Sequence, residues 1–556
     1  MSGASDELVF APLGGLGEIG MNLALYGFGP KGAMKWLMVD CGIAFAGPDQ
    51  PGVEIIVPDV AFVEKIKRDL VGLVITHAHE DHIGAIVDLH PKFGCQVYAT
   101  KFAAELLRAK RLAERGAPDI PIEVVAQGGR VTLGPFDVEF IAMAHSIPES
   151  CALAIRTPLG LVLHSGDWKI DAEPGLGAPT DGARLRALGD EGVLALVCDS
   201  TNILREGVSP SEGEVARVLT EVIAGAKGRV VVTTFASNVA RIRAVALAAA
   251  AAGREIVLAG RAMERVVAVA RECGYLDDVP HMRGLEAFSS LPREKIVLIA
   301  TGSQGEPRAA IARISQGEHP AVSLNAGDMV IFSSRTIPGN EREVGRIVNN
   351  LIRSGVEVVT DRNGLVHASG HPRRGEVAEL YAWLRPNIAV PAHGEDLHLS
   401  EHAAFARAQG ASFVVPARNG DLVVLAPGDP GIVGEVPHGR LLKDGDIFVP
   451  AGDEALRVRQ KLAAAGVVTI ALAVTAKGDL AGVPDVMTAG VPARLRDGAA
   501  MDAVVDDALF STFDNLPRQK RRDADVVSSA IEKAVRSAVA TAWGKRPSVH
   551  VLVVEV

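Results

Sequence analysis

Thr76-His77-Ala78-His79-Glu80-Asp81-His82 is the segment that decides the fold. It ends a mostly apolar run, Leu70–Thr76, that reads as a strand buried on both faces. Behind it, Ile83–Leu89 reads as a helix. His77 and His79 are one residue apart, so at an extended strand end they project to the same side. Asp81 and His82 then fall on the turn and the helix start. One loop can therefore feed two adjacent metal ions. Neutral imidazole and carboxylate suit Zn²⁺, with Mn²⁺ as a competitor. An ordinary polar surface loop has no need of four such groups at the mouth of an apolar strand.

Working outward, the chain supplies further ligands one at a time. His145 follows Val138–Met143, Asp167 follows Leu161–His164, Asp199 follows Val193–Val197, and His393 follows Ile388–Val390. Each ends an apolar run, where the loops at one edge of a sheet converge. Any one alone reads as a core or turn residue, and it is the repeated context that reverses this reading. The expected coordination is His77, His79, His145 and Asp167 for one ion. Asp81, His82, Asp167 and His393 serve the other, with Asp167 bridging.

The rest of the chain sets limits on partners and organisation. At ~150 residues per domain, its 556 residues make three or four domains. A hydrophobic share of 48% and a charged share of 22% are globular values and exclude a disordered chain. Aromatics at 4% exclude extensive base-stacking platforms. The net charge of −10 argues against a surface coated in basic patches, although local fields and bound cations can outweigh the global sum. Five cysteines without CxxC spacing fit a reducing cytosol. No export signal or apolar run near ~20 residues is present, so a cytoplasmic protein with no membrane contact is expected. Gly14–Gly20 resembles a phosphate loop but lacks the Lys-Ser/Thr ending, and reads as a tight strand connection. From Ser211, whose pairing with Glu214 is a capping-box signature, strands alternate with helices as in a parallel sheet. Near the C-terminus a strand (Val467–Val474), a helix (Ala524–Ala542) and a final strand (Val549–Val554) make a small α/β domain. Around its helix lie Arg518, Lys520, Arg521, Arg522, Lys533, Arg536, Lys545 and Arg546. Such a cluster is most often a solvated face; an RNA or subunit contact is the alternative.

The pattern His-x-His-x-Asp-His, followed by a lone histidine and Ser-Gly-Asp, resembles the metallo-β-lactamase fold. Asp199, the segment His367-Ala368-Ser369-Gly370-His371, and His393 in Pro-Ala-His-Gly-Glu resemble motifs A, B and C of the β-CASP nucleases. With Phe235-Ala236-Ser237-Asn238 and the C-terminal appendage, the arrangement is similar to the ribonuclease J family. The resemblance implies an α/β architecture, a metallo-β-lactamase αββα sandwich with an inserted β-CASP α/β domain. The expected division is 1–210 and 366–428 for the sandwich, 211–365 for the insertion, 429–455 for a linker and 456–556 for the C-terminal domain.

The resemblance also implies two Zn²⁺ per chain, with Mn²⁺ or Mg²⁺ as alternatives in the active form. The implied activity is a 5′-to-3′ exoribonuclease that prefers 5′-monophosphate RNA and also cuts internally. A histidine at motif C, here His393, accompanies RNA rather than DNA substrates in this superfamily. Two cations lower the pKa of a shared water and clamp phosphate oxygens. Asp81 orients the nucleophile and His371 is the candidate acid for the leaving oxygen. Asp199 orients a site histidine rather than binding metal. Ser237 and Asn238, facing His367, Ala368, Ser369, Gly370 and His371, would form the pocket for the 5′-phosphate, in a groove also lined by Arg373 and Arg374. Implied partners are RNA, further copies of the chain joined as a dimer or tetramer through the C-terminal domain, and decay factors such as a helicase. The rival readings are a thioester or lactam hydrolase of the same fold, a DNA nuclease of the superfamily, and a non-cutting RNA scaffold. The first has no need of the inserted block, His393 weighs against the second, and intact ligands weigh against the third.

Overall fold

The architecture was obtained as a computed structural model, which describes residues 5–337 and 339–556. Two compact units emerge. One holds the chain through Ala44 together with Ile56–Arg440, and the other holds Phe45–Ile55 with Leu441–Val556. The segment Phe45–Ile55, expected in the first domain, thus belongs with the C-terminal unit.

The first unit contains two facing sheets. One runs in the order Gly431–Glu435, Asp421–Ala426, Asp6–Gly14, Leu23–Pro30, Lys35–Val39, Leu70–Val74, Val97–Ala99, Ile122–Val124. The other runs Phe413–Val414, Ile388–Ala392, Val193–Asp199, Gly160–His164, Cys151–Thr157, Phe136–Ala142, Arg130–Leu133. Their inner faces meet in one core that includes Phe10, Tyr26, Val39, Phe140, Leu153, Val197 and Val390. Alternation along each strand sends the other residues outward. Ala152, Leu163 and Leu196 of the second sheet meet Leu185, Leu188, Val377, Leu380 and Leu384 from the helices Gly182–Glu191 and Arg374–Leu384. This is the helix-covered sandwich that the motif pattern implied.

Three strands of the second sheet, Gly160–His164, Val193–Asp199 and Ile388–Ala392, are mutually parallel. Parallel strands end on the same edge, so the residues that follow them converge there. The helices Arg374–Leu384 and Asp396–Ala408 flank the strand Ile388–Ala392 in the chain.

The insertion is an all-parallel sheet ordered Glu255–Ala259, Ile296–Ala300, Val230–Thr233, Met329–Phe332, Glu357–Val359. Its near-continuous Val/Ile/Leu strands, apart from the edge strand Glu357–Val359, are buried on both faces, as parallel sheets require. Ser211 opens its first helix with the full capping box to Glu214.

The expected linker is not irregular chain. Gly431–Glu435, Arg440–Asp444 and Ile447–Pro450 are strands, and a helix starts at Glu454. Gly and Asp at the turns between these short strands gave the stretch its linker-like composition. In the C-terminal unit a three-stranded sheet, Asp485–Ala489, Val467–Val474, Ser548–Glu555, is covered by the helices Met501–Asn515 and Ala524–Trp543. Val527, Ile531, Val535 and Val539, spaced four apart, seat the longer helix on Val468, Ile470 and Leu472. No helix among the described residues is long and apolar enough to cross a membrane.

Candidate metal centre

The convergent edge assembles the seven residues proposed as ligands from the sequence. His77, His79, His145 and Asp167 form one group, and Asp81, His82, Asp167 and His393 form a second; in each, candidate ligand atoms lie within 4.8 Å of one another. Asp167 belongs to both groups. Its Oδ2 lies 3.7 Å from His77 Nε2, 3.3 Å from His82 Nε2 and 3.8 Å from His145 Nε2. A third group joins Asp167 and His393 to Asp199 and His371.

Outer partners fix which ring nitrogen faces inward. His77 Nδ1 donates to Thr76 Oγ1 at 3.0 Å, and His82 Nδ1 to Asp40 Oδ2 at 2.7 Å. His145 Nδ1 donates to the Gly370 carbonyl at 2.6 Å. In each case Nε2 is the nitrogen turned into the cluster, as in metal-binding histidines. His79 Nδ1 stands 3.1 Å from His77 Nε2 and 3.0 Å from His145 Nε2. Three nitrogens facing one another at such distances suit a shared cation better than one another.

At the first group the charges agree with this. Burial, helped by neighbouring imidazoles, pulls His77 and His145 well below the usual histidine range and His79 to about 4, so all three are neutral. His82 and His393 are raised: burial opposes it, but Asp167 and Asp81 outweigh the burial. Asp81, Asp167 and Asp199 stay ionised despite burial because the histidines hold them low. His393 Nδ1 approaches Asp167 Oδ1 to 2.9 Å, yet the pair is not aligned as a hydrogen bond, and His393 Nε2 and Asp167 Oδ1 remain buried without partners. A buried carboxylate oxygen and a buried imidazole nitrogen without hydrogen bonds are costly unless a ligand answers them. The donor set of imidazole and carboxylate therefore fits a divalent metal.

Asp199 is hydrogen-bonded to a site histidine and also belongs to the third group. Its Oδ2 accepts from His371 Nδ1 at 2.8 Å, and its Oδ1 accepts from the Thr201 amide. Burial lowers His371, but Asp199 and Asp167 more than compensate and its basicity ends up raised.

Sequence reading missed the groups that hold this shell. Asp40, at φ 60° directly after the strand Lys35–Val39, accepts from the Thr76 amide, Thr76 Oγ1 and His82. Asn22 donates to the Asp81 carbonyl. Gly42 packs so closely on the ligand loop that a Cβ there would lie 1.7 Å from the Asp81 carbonyl oxygen. The signal for Asp40 was present, since it too ends an apolar run, but it is an acidic residue with no histidine beside it. His393 itself sits at φ 49°, a costly conformation for a non-glycine residue, next to Gly394, which bridges to Leu16 and Glu18 of the glycine-rich loop.

The segments expected to bind the 5′-phosphate are tied to each other by Arg241, which is fully buried. It forms a two-pronged pair with Glu212 at 2.8–2.9 Å. It also donates to Ser333 Oγ and to the Val366 carbonyl, and its amide donates to Asn238 Oδ1. The Asn238 carboxamide oxygen therefore caps its helix within a buried side chain, whereas the neighbouring Ser237 is half-buried. Ala368 is buried, and the Gly370 carbonyl is taken by His145, so those two serve as support rather than as donors. A Cβ at Gly370 would come within 2.6 Å of the His145 ring. His367 Nδ1 and Arg373 Nε are buried without acceptors. Burial, then Arg241, Lys169 and Arg335, depress His367, which marks a patch of positive potential that the sequence reading did not include Arg335 in. Arg374 leaves the list of groove residues: it pairs with Glu206 and Glu401 and covers the Phe405 ring.

The fold and this centre define a metallo-hydrolase of the metallo-β-lactamase superfamily, whose family model matches residues 31–212. Further models match in chain order: ribonuclease J β-CASP domain at 227–351, Zn-dependent metallo-hydrolase RNA specificity domain at 355–416, and ribonuclease J C-terminal domain at 454–556. A ribonuclease J of Sinorhizobium meliloti is 50% identical over 99% of this chain and 98% of that protein. One of Mycolicibacterium smegmatis is 39% identical over 100% of this chain and 98% of that protein. The chain belongs to the ribonuclease J family. A solved structure of a protein of unknown function from Enterococcus faecalis shares the fold, with a TM-score of 0.51 and 13% identity over 75% of this chain and 100% of that one.

Proposed function

We propose that the protein is a two-zinc ribonuclease. In this reading it removes nucleotides from 5′-monophosphorylated RNA in the 5′-to-3′ direction, also cuts internally, and serves RNA maturation and decay in the cytoplasm. The observation that carries it is the pair of four-residue ligand groups sharing Asp167. Bound there, two divalent cations supply activation of water and neutralisation of phosphate charge. Asp81, the most exposed of the carboxylates at 29%, orients the attacking water. Water adds to phosphorus in line and the bond to the 3′ oxygen breaks, giving a 5′-phosphate and a 3′-hydroxyl. His371, held by Asp199 and itself 22% exposed, gives the departing 3′ oxygen its proton.

Ser237, the Asn238 amide group, His367, Ser369 and the nearby Arg335 and Arg373 would hold the terminal phosphate. Asn202, which donates to Ser369 Oγ and the His371 carbonyl, keeps that side in place. From the family likeness we also propose assembly as a dimer or tetramer through the C-terminal domain and work alongside decay factors such as a helicase.

The test is RNA carrying a label at a 5′-monophosphate end, offered to metal-reconstituted protein. Labelled mononucleotide should appear first, and His79→Ala should abolish it. Ser237→Ala should narrow the preference for 5′-monophosphate over 5′-hydroxyl ends with metal content unchanged. Equal losses on both ends would remove the pocket from the proposal.

A further inference from the structure

The structure sorts the basic residues near the C-terminus into two kinds. Arg518 pairs with Asp479, Arg521 donates to the Leu516 and Asp514 carbonyls over the Phe513 ring, and Lys545 donates to the Ala464 carbonyl over Trp543. These stabilise the unit itself. Lys533, Arg536 and Arg546 do not. They line one shallow cleft of about 450 Å³ along the outer face of the helix Ala524–Trp543, together with Ser537, Ala540, Thr541 and Gly544.

The spacing Lys533, Arg536, Ser537, Ala540, Thr541 is the i, i+3, i+4, i+7, i+8 pattern of a single helix stripe, opposite the buried Val527, Ile531, Val535 and Val539. Small residues make the floor, and cations stand at both ends. Among the described residues no carboxylate lies within 4 Å of Lys533 or Arg546, and Arg536 meets Glu532 only at 3.7 Å. Arg536 Nε is buried in the wall without an acceptor. Between Arg518 and Arg546 eight basic residues face three acidic ones, a local charge of +5 in a chain of −10.

We propose that this stripe is a second RNA-binding site, which holds backbone phosphates of nucleotides beyond those at the metal centre. It rests on the reading of the protein as a ribonuclease. The cleft runs from Lys533 to Gly544, about 16 Å at 1.5 Å per residue, too long for one phosphate and suited to a run of them along a single strand. It offers charge and hydroxyl groups but no aromatic or large aliphatic anchor, and a protein partner would want such an anchor. Contacts of this kind add affinity without reading sequence.

The test compares the full holoenzyme with Lys533→Glu/Arg546→Glu, and with a control reversal on exposed residues of the same unit, Lys461→Glu/Arg496→Glu. Binding is read by fluorescence anisotropy on nuclease-resistant phosphorothioate RNA, so it reports on the stripe whether or not the centre cuts. The ligands are a 5′-monophosphorylated trinucleotide and a strand ten times as long. The stripe variant should weaken long-strand binding about tenfold at low salt and flatten log K against log salt by about 1.4, for two lost single-strand contacts. Trinucleotide binding and the control should not move. Unchanged long-strand affinity, or an equal loss in the control, would overturn the proposal. So would a change in oligomeric state with RNA affinity intact, which would assign the cleft to a protein contact.

Discussion

Asp40 shows how much a single side chain outside the ligand set can decide. One carboxylate accepts from the amide and hydroxyl of Thr76, where the ligand loop begins, and from His82 at 2.7 Å. It thereby sets the tautomer and direction of a ligand it would never replace. Asp40→Asn keeps a residue type that tolerates φ 60° and removes only the charge and one acceptor. The expected result is a ~10–100-fold loss in metal affinity or activity, read by metal content after dialysis and by turnover, with an unaltered far-UV spectrum. Gly370 makes the same point from the other side: the chain approaches His145 so closely that no side chain fits between them.

Among elements, the decisive feature is where strands end and what ties the loops beyond them. Arg241 lies on the helix Val239–Ala251, yet its guanidinium fastens the chain where it enters the insertion (Glu212) and where it leaves (Val366). Arg241→Met leaves Glu212 buried and uncompensated, a cost of about 3–5 kcal/mol, visible in denaturant unfolding. Adding Glu212→Leu should return most of that stability but not the clamp on Val366 and Ser333. The double variant should therefore show a raised KM for 5′-monophosphate RNA with kcat and metal content near the parent's.

Glu139 lies on the strand Phe136–Ala142. It is held at about pKa 2, chiefly by Arg184 with Arg130 and Arg156, against an ordinary 4.5. A carboxylate lowered on folding stabilises at pH above its unfolded pKa, and that contribution fades as the pH falls toward 2. Glu139→Gln should cost about 2 kcal/mol near neutrality. The gap between parent and variant in thermal unfolding should narrow progressively below pH 4.5.

At the scale of the whole molecule, the first unit gathers like-charged and lone-pair groups that only a cation reconciles. Loss of the metal should therefore lower stability as well as activity. A chelator should reduce the thermal midpoint by several degrees and restoring Zn²⁺ should recover it, by the mass-action coupling of binding to folding. Calorimetry with and without chelator reads this directly. The acidic total of −10 is compatible with an RNA substrate because positive potential is concentrated, at the metal centre, around Arg335 and Arg373, and on the stripe of the C-terminal helix.

The sequence by itself determined which seven side chains gather as candidate ligands, the sandwich and the inserted parallel sheet. These candidates were legible because their segments follow apolar runs, and parallel strands bring such ends to one edge. Asp40, Arg241 and Arg335 were not legible as site residues. Their partners lie far off in the chain, so nothing local distinguishes them from ordinary charged residues. The same holds for the supposed linker, whose glycines and aspartates mark turns between strands that form only when a distant partner is present. Tertiary structure alone decided which charges are already satisfied, as with Arg374 and Lys545, and which meet no carboxylate among the described residues, as with Lys533 and Arg546. Pairing is a property of three-dimensional neighbours, and composition carries no record of it.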